Sequence, residues 1–548
     1  MIQKNIFLLI SCVALFVFAA DIKGQGVKNI KQYYSDSDVG IFVRTTEIMD
    51  GYKFLFINLN FKRGNFFYDG YLIDEQLPNN AERINHSVVI KTDMDNNYID
   101  HFKFGGSSNR EVTVGDGTIF FLVRDTSITD VLDQIFIIGV DKNFNVVYKE
   151  NVKGVGLILI KYVDKYLYIH TRNHQNSLII IGNDTIHSNF HHTHCTMKRD
   201  YKNFRNIWIL KASREEGAPA DLNVSSSGEA YIYSGFGGSL GGAVIIGQDT
   251  LLTRGADGFV YKLDAEGNLS YMKQVYGNGS EGITDLIIDD FDNVYINIVC
   301  SGPSANITYD GITYPLANPF SGHRSNYIMR LGDEGQVIWA TSVGGQWVLF
   351  QNIISMDENT LLLCLNYTAL KIDEIDESRG SSFVAINKNF GDVENHYKLA
   401  TNSKMNMYFG SQKVTSSIIS FPMALVKEDN EAITFMGKEY SSDSDYRNTI
   451  SIYCDINFDE LSNIKQNLKE ENLSVYPNPA TLGGYVSYSG KQENCTTYTI
   501  RDIMGNVIDE QKYDESTTIS LSKIGTQGIY ILEFDCNNRK YLGKLLIY

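Results

Sequence analysis

Apolar and polar positions in this chain alternate in short runs, with turn dipeptides at their starts and no stretch of helical period. Asp50-Gly51 precedes Tyr52-Lys-Phe54-Leu-Phe56, and comparable phrases begin at Asp116-Gly117, Asp164-Lys165, Ser227-Gly228, Asp292-Asn293, Glu358-Asn359 and Asp429-Asn430. The last of these stands before Ala432-Ile-Thr434. Successive starts lie 66, 48, 63, 65, 66 and 71 residues apart, so all but the second interval share a period. A second phrase, an apolar strand running into a polar turn, interleaves with the first. It occurs at Val88–Asp93, Phe136–Asp141, Trp208–Lys211, Phe259–Asp264, Tyr327–Leu331, Phe383–Ile386 and Ile450–Tyr453. Each unit therefore predicts strand, tight turn, strand, long excursion, strand, tight turn, strand.

Four antiparallel strands in each of seven units predict an all-β chain built on a seven-bladed β-propeller. One such sheet exposes two apolar faces; packing the sheets around a ring buries both. Ile30-Lys-Gln-Tyr-Tyr34-Ser35 resembles the fourth strand Met272–Gly277 yet precedes the first unit, so it is expected to complete the last blade beside Ile450–Ile456. Within one unit, Asp257-Gly258-Phe259-Val260-Tyr261-Lys262-Leu263-Asp264 followed by Asp292-Asn293-Val294-Tyr295-Ile296 resembles the propeller repeats called SBBP repeats. That resemblance implies a scaffold and no particular reaction.

The two ends read differently. Lys4 and the mostly apolar run Ile6–Ala20 predict a secretory signal peptide over residues 1–24, too short to span a bilayer. Leu9-Ile10-Ser11-Cys12 is the competing detail, a lipoprotein-like box. No later apolar run approaches 18 residues, so no membrane span is expected in the mature protein.

At the far end come Val475-Tyr476-Pro477-Asn478-Pro479, then Asp502-Ile-Met-Gly505-Asn506-Val507, then Gly528-Ile529-Tyr530-Ile531-Leu532, and a terminal basic-apolar strand through Lys544. The alternation suits a small Ig-like β-sandwich. In order and content these elements resemble the C-terminal sorting domain of the type IX secretion route. Pro477, Asn478, Pro479, Gly505, Gly528, Tyr530 and Lys544 carry the likeness. It implies transport across the outer membrane of a Gram-negative cell, with the secretion machinery as partner, and delivery to the cell surface or the medium. The expected domains are a propeller over 25–465 and a sorting domain over 466–548.

Charge and chemistry narrow the rest. The net charge of −17 disfavours nucleic acid and anionic membranes. The six cysteines after Cys12 have no CxxC spacing, so neither a zinc ribbon nor a disulfide framework is expected. In His187-x3-His191-His192-x-His194-Cys195, His192 and His194 share one side of a strand and are the candidate metal pair; a polar loop is the plainer reading. Gly237-Gly-Ser-Leu-Gly241 and Gly277-x-Gly279-x-x-Gly282 both lead into strands, which suits neither a nucleophile elbow nor a dinucleotide loop. Asp289-Asp-Phe-Asp-Asn293 reads as turn chemistry rather than a calcium loop.

No catalytic residue and no cofactor stand out, and an enzyme is not the preferred reading. The excursions between second and third strands are the expected ligand face. Candidate contacts are Phe236, Tyr309, Tyr314, Phe320, His323 and Arg324, with Trp347 after a glycine pair. The expectation is an exported scaffold that binds a glycan or protein. The alternatives are a polysaccharide hydrolase or lyase with carboxylates on the propeller axis, and a passive protein of the surface layer.

Overall fold

The structure is a computed structural model that describes residues 27–457 and 474–547, apart from short segments that are mostly connections between strands. The described secondary structure is all strand. Contacts divide the chain into two compact units, Met1–Asp459 and Glu460–Tyr548.

The tight turns follow from local chemistry. Asp50 and Gly51 sit at φ 52° and 78°, and Asp116 and Gly117 at 52° and 67°. Positive φ at both central positions is the twist-matched two-residue hairpin, which Asp-Gly adopts at little cost. Longer turns use a side chain as the frame. Asp93, Asp141 and Asp264 each accept from the backbone N–H of the residues two and four positions on.

Blade one comprises Val39–Met49, Tyr52–Phe61, Ile84–Thr92 and Tyr98–Gly105, antiparallel in that order. The innermost strands of the blades are Val39–Met49, Ser108–Gly115, Val155–Val163, Asp221–Val224, Ser280–Ile288, Leu349–Ser355 and Gln412–Lys413. Each neighbours the next, and the seventh adjoins the first. This is a closed ring of seven. Val27–Ser35 pairs with Thr449–Asn457, from Val27 opposite Ile456 to Tyr33 opposite Ser451, so the start of the chain supplies the outer strand of blade seven. Apolar clusters fill the spaces between blades, as where Phe120, Leu122 and Ile137 of blade two meet Ile158, Leu167 and Met197 of blade three.

Two assignments are corrected by the strands. In blade three the third strand is Thr193–Asp200, and Trp208–Lys211 belongs to the fourth, Arg205–Arg214. In blade seven the second strand is Ile418–Val426, while Ile433–Phe435 pairs with Lys438–Tyr440 as a separate hairpin. The two errors differ in cause: Thr193–Asp200 is mostly polar, so an apolar pattern passes over it, whereas Ile433–Phe435 is an apolar strand beyond the basic four of blade seven.

The extra strands also change the role of the excursions. Phe66–Tyr68 and Tyr71–Asp74, from blade one, form a hairpin that adds to Val27–Ser35 of blade seven. Hairpins from blades three, four and five likewise add to the outer strands of blades two, three and four, through Ile181 opposite Val152, Ile246 opposite Ala212 and Tyr309 opposite Val275. Blade six does the same with the long ends of its middle strands, Ala369 to Lys371 pairing with Gly344 to Gln346. An outer strand would otherwise present a row of unpaired N–H and C=O groups; the hairpins cover it and clasp each blade to its predecessor.

The C-terminal unit holds two antiparallel sheets. Ser474–Tyr476, Tyr485–Ser489 and Thr518–Ser520 form one; the other runs Val507–Lys512, Cys495–Asp502, Gly528–Cys536, Arg539–Ile547. Val486 and Ile519 of the first share a core with Tyr498, Ile500, Leu532 and Leu545 of the second.

Candidate functional site

The axis of the ring is lined by the seven innermost strands, and polar residues interrupt their apolar pattern. Lys161, Asp221 and Asp285 come from blades three, four and five, and both Lys161 and Asp221 act electrostatically on Asp285. Surrounding protein strips Asp285 of solvation, and Asp221 adds a like charge. Lys161 and hydrogen bonds from the N–H groups of Leu286 and Ile353 act in the opposite direction, and the carboxyl is pushed up to about 7. Its bond to Ile353 crosses from blade five to blade six. Thr113 of blade two accepts from the Tyr162 N–H of blade three at 2.9 Å. Asn223 of blade four donates its amide to the Leu286 carbonyl of blade five. These polar side chains satisfy backbone groups that the innermost strand, an edge, cannot pair within its own sheet. A carboxyl poised near neutrality beside a second carboxylate can also exchange a proton.

The face carrying the tight turns presents aromatic side chains. Phe204, Phe291 and Phe390 are 51%, 63% and 63% exposed. Their turns are fixed from within. Asp289 Oδ1 accepts from the Phe291 N–H at 2.9 Å, and Asn387 Oδ1 from the Phe390 N–H at 3.2 Å. Asp200 Oδ1 accepts from the Asn203 N–H at 3.1 Å, and Phe204 itself stacks on Tyr148 with ring centres 5.3 Å apart. Because the turns joining strands one to two and three to four emerge on one side of the ring, all three rings lie on that face. Rigid turns hold them in water at no further ordering cost.

The residues singled out by sequence are distributed otherwise. Tyr309 is 1% exposed and donates its hydroxyl to the Gly335 carbonyl at 3.0 Å, so it is a core residue and not a surface contact. Burial drives its phenol pKa well up. Tyr314 is partly buried against the core between blades four and five, its carbonyl accepting from the Tyr327 hydroxyl. Arg324 opens the strand Arg324–Leu331, opposite Ser301. Phe236, Phe320, His323 and Trp347 lie outside the described residues, as does His192.

His194 is in the third strand of blade three, buried against His170, with Nδ1 3.2 Å from His170 Nε2. Thr196 Oγ1 holds the other nitrogen of His170 at 2.9 Å. Among the described residues no group of three or more His, Cys, Asp and Glu is placed to hold a metal ion. Gly282, third of the Gly277-x-Gly279-x-x-Gly282 series, meets Gly235 of blade four backbone to backbone; a Cβ there would lie 3.3 Å from the Gly235 Cα. The spacing of those glycines records a close approach of chains rather than a phosphate cradle.

Sequence reasoning missed the axial group. Its signal was present: Asp285 sets a charge inside the strand-like run Ile283-Thr-Asp-Leu-Ile-Ile288, between the apolar Ile283 and Leu286. The phenylalanines were passed over because they lie in turns, which the periodic pattern excludes.

In the C-terminal unit, Gly528 is opposite Ile547 and Lys544 opposite Ile531. Tyr530 is buried and donates to the Thr526 carbonyl at 2.9 Å. Pro477, Asn478, Pro479 and Gly505 lie outside the described residues. Residues 474–548 match the family described as the secretion system C-terminal sorting domain. The tail marks the protein for the cell surface or the medium of a Gram-negative bacterium and implies contact with the type IX machinery.

No curated protein matches the chain. Among solved structures it is similar to a neuraminidase-like protein of an A/little yellow-shouldered bat/Guatemala isolate, at 12% identity and a TM-score of 0.29, covering 64% of this chain and 95% of that one. It is also similar to an acylaminoacyl peptidase of Pyrococcus horikoshii, at 9% identity and a TM-score of 0.27, covering 72% of this chain but only 58% of the peptidase. A third is the GH43 protein BlXynB of Bacillus licheniformis, at 8% identity and a TM-score of 0.22, covering 64% and 93%. Likenesses this distant carry no argument about what the chain binds or does.

Proposed function

We propose that this protein is an exported, non-enzymatic propeller that binds a glycan or a protein outside the cell, with a signal peptide over 1–24, the propeller over 25–465 and the sorting domain over 466–548. The observation that supports binding is the set of exposed phenylalanines, Phe204, Phe291 and Phe390, held by fixed turns on one face of the ring. Exposed apolar rings on a rigid scaffold are suited to recognition, and Phe291 and Phe390 each leave 63% of their surface in water.

A second reading, a polysaccharide hydrolase or lyase, draws on Asp285 and Asp221 at the axis, where one carboxyl titrates near neutrality beside another. The two are separated by one experiment on the purified propeller: an array of glycans and surface proteins, run beside a screen for released sugar. Binding without sugar release, lost on Phe204→Ala/Phe291→Ala/Phe390→Ala, supports the scaffold. Sugar release lost on Asp285→Asn supports the enzyme.

A further inference from the structure

The register of the four-stranded sheet in the C-terminal unit sets Cys495 opposite Cys536 at the end of the ladder, a bulge separating this pair from Thr497 opposite Asp535. Cys495 opens the strand Cys495–Asp502 and Cys536 closes Gly528–Cys536; these are the two central strands of their sheet. Directly opposed residues of an antiparallel pair have Cα atoms about 4.5 or 5.5 Å apart. A disulfide needs Cα atoms roughly 4.4 to 6.8 Å apart, so either kind of pairing satisfies it.

We propose that Cys495 and Cys536 are joined by a disulfide in the exported protein. The compartment agrees with the geometry, since the sorting tail sends this chain through an oxidising space where such bonds form and persist. The contrast with the propeller cysteines is informative. Cys195, Cys300 and Cys364 stand opposite Thr171 and Lys211, Glu281 and Ser325, and Asn352 and Phe383 respectively, and Cys454 stands opposite Phe421, so none of the four has a cysteine opposite it. Cys195, Cys300 and Cys364 are buried free thiols, and burial pushes the Cys195 thiol up to about 12, where it is inert.

The oxidant is a disulfide-bearing thiol oxidoreductase of the exported compartment. The thiolate of one cysteine attacks that disulfide and one oxidant sulfur leaves as a thiolate. The second cysteine then attacks the mixed disulfide, the Cys495–Cys536 bond forms, and the oxidant departs as a dithiol, having taken up two electrons and two protons. The bond ties together the ends of a segment that includes Val507–Lys512 and Thr518–Ser520, so the sorting unit is cross-linked across its central strand pair. This is a single staple inside one sheet, not a disulfide framework.

The test is peptide mapping of the full chain recovered from the periplasm, alkylated in denaturant without reductant. Cys195, Cys300, Cys364 and Cys454 should take the label, while Cys495 and Cys536 appear in one cross-linked peptide and take label only after reduction. Labelling of both before reduction, or linkage of either to another cysteine, overturns the proposal. As a second measurement, reductant should lower the melting temperature of the parent's C-terminal unit and leave Cys495→Ser/Cys536→Ser unmoved. A parent melt indifferent to reductant also overturns it.

Discussion

Lys388 Nζ lies 2.9 Å from Asp289 Oδ2, and both side chains are withdrawn from solvent. Asp289 belongs to the turn between the first two strands of blade five; Lys388 follows the third strand of blade six. The ammonium also donates to Ser355 Oγ at 2.6 Å, and the Lys388 carbonyl accepts from Trp339 Nε1 of blade five at 2.7 Å. Burial alone would raise the Asp289 carboxyl, but Lys388 and the Asn293 amides more than offset this and hold it below its ordinary range. The pair is a rivet between neighbouring blades.

Removing one half of such a pair leaves a buried charge without a counterion, which costs about 3–5 kcal/mol. Lys388→Met should therefore melt clearly below the parent, by several degrees in calorimetry. The deficit should shrink at acid pH, where Asp289 takes a proton. A variant that melts with the parent at neutral pH would show that the bridge contributes nothing.

Ring closure depends on a strand from the other end of the chain. Deleting residues 27–35 removes the outer strand of blade seven, together with the edge on which the Phe66–Tyr68 hairpin is built. The melting temperature should fall sharply. An unchanged melt would mean that the ring is closed without this strand.

Asp285 gives a dependence on pH whose sign is fixed. Its folded value, about 7, lies above the ordinary value of about 4, so the folded state holds a proton that the unfolded state releases. Stability from this group is fully present below about pH 4, is lost as pH rises toward 7, and stays lost above that. Asp285→Asn should flatten that part of the stability profile and raise the melting temperature at pH 8. An identical profile in parent and variant would mean that the axial carboxyl is not perturbed.

Much of the architecture could be read from turn chemistry. Asp-Gly and Asp-Asn pairs marked the first turn of blades one, two and five because few other residues accept positive φ, and the likeness of Ile30–Ser35 to a fourth strand foretold closure. Pattern failed where a segment's role depends on a distant partner. Ile433–Phe435 has the apolar run of a blade strand, but only its pairing with Lys438–Tyr440 shows it to be a hairpin. The excursions were expected to make a ligand face; five blades instead contribute strands that extend a neighbour's sheet, a choice set by unpaired edges that periodicity does not record. Tyr309 illustrates the cost: an aromatic in an excursion reads as exposed until the edge it joins is known. The axial group of Lys161, Asp221 and Asp285 comes from three separate blades and is assembled only by the ring.

The sorting tail yields its own test. A chain ending at Lys469 lacks every strand of the C-terminal unit and should accumulate in the periplasm while the full chain reaches the surface or the medium. Equal amounts outside the cell would show that the tail is not the address.

Binding without catalysis at the turn face is measured most directly by presenting the purified propeller, residues 25–465, to arrayed glycans and surface proteins while assaying the same polysaccharides for release of sugar. The expected result is saturable binding to one class of ligand, weakened at least tenfold by Phe204→Ala/Phe291→Ala/Phe390→Ala, with no sugar released. Release of sugar, or binding untouched by the triple substitution, would contradict it.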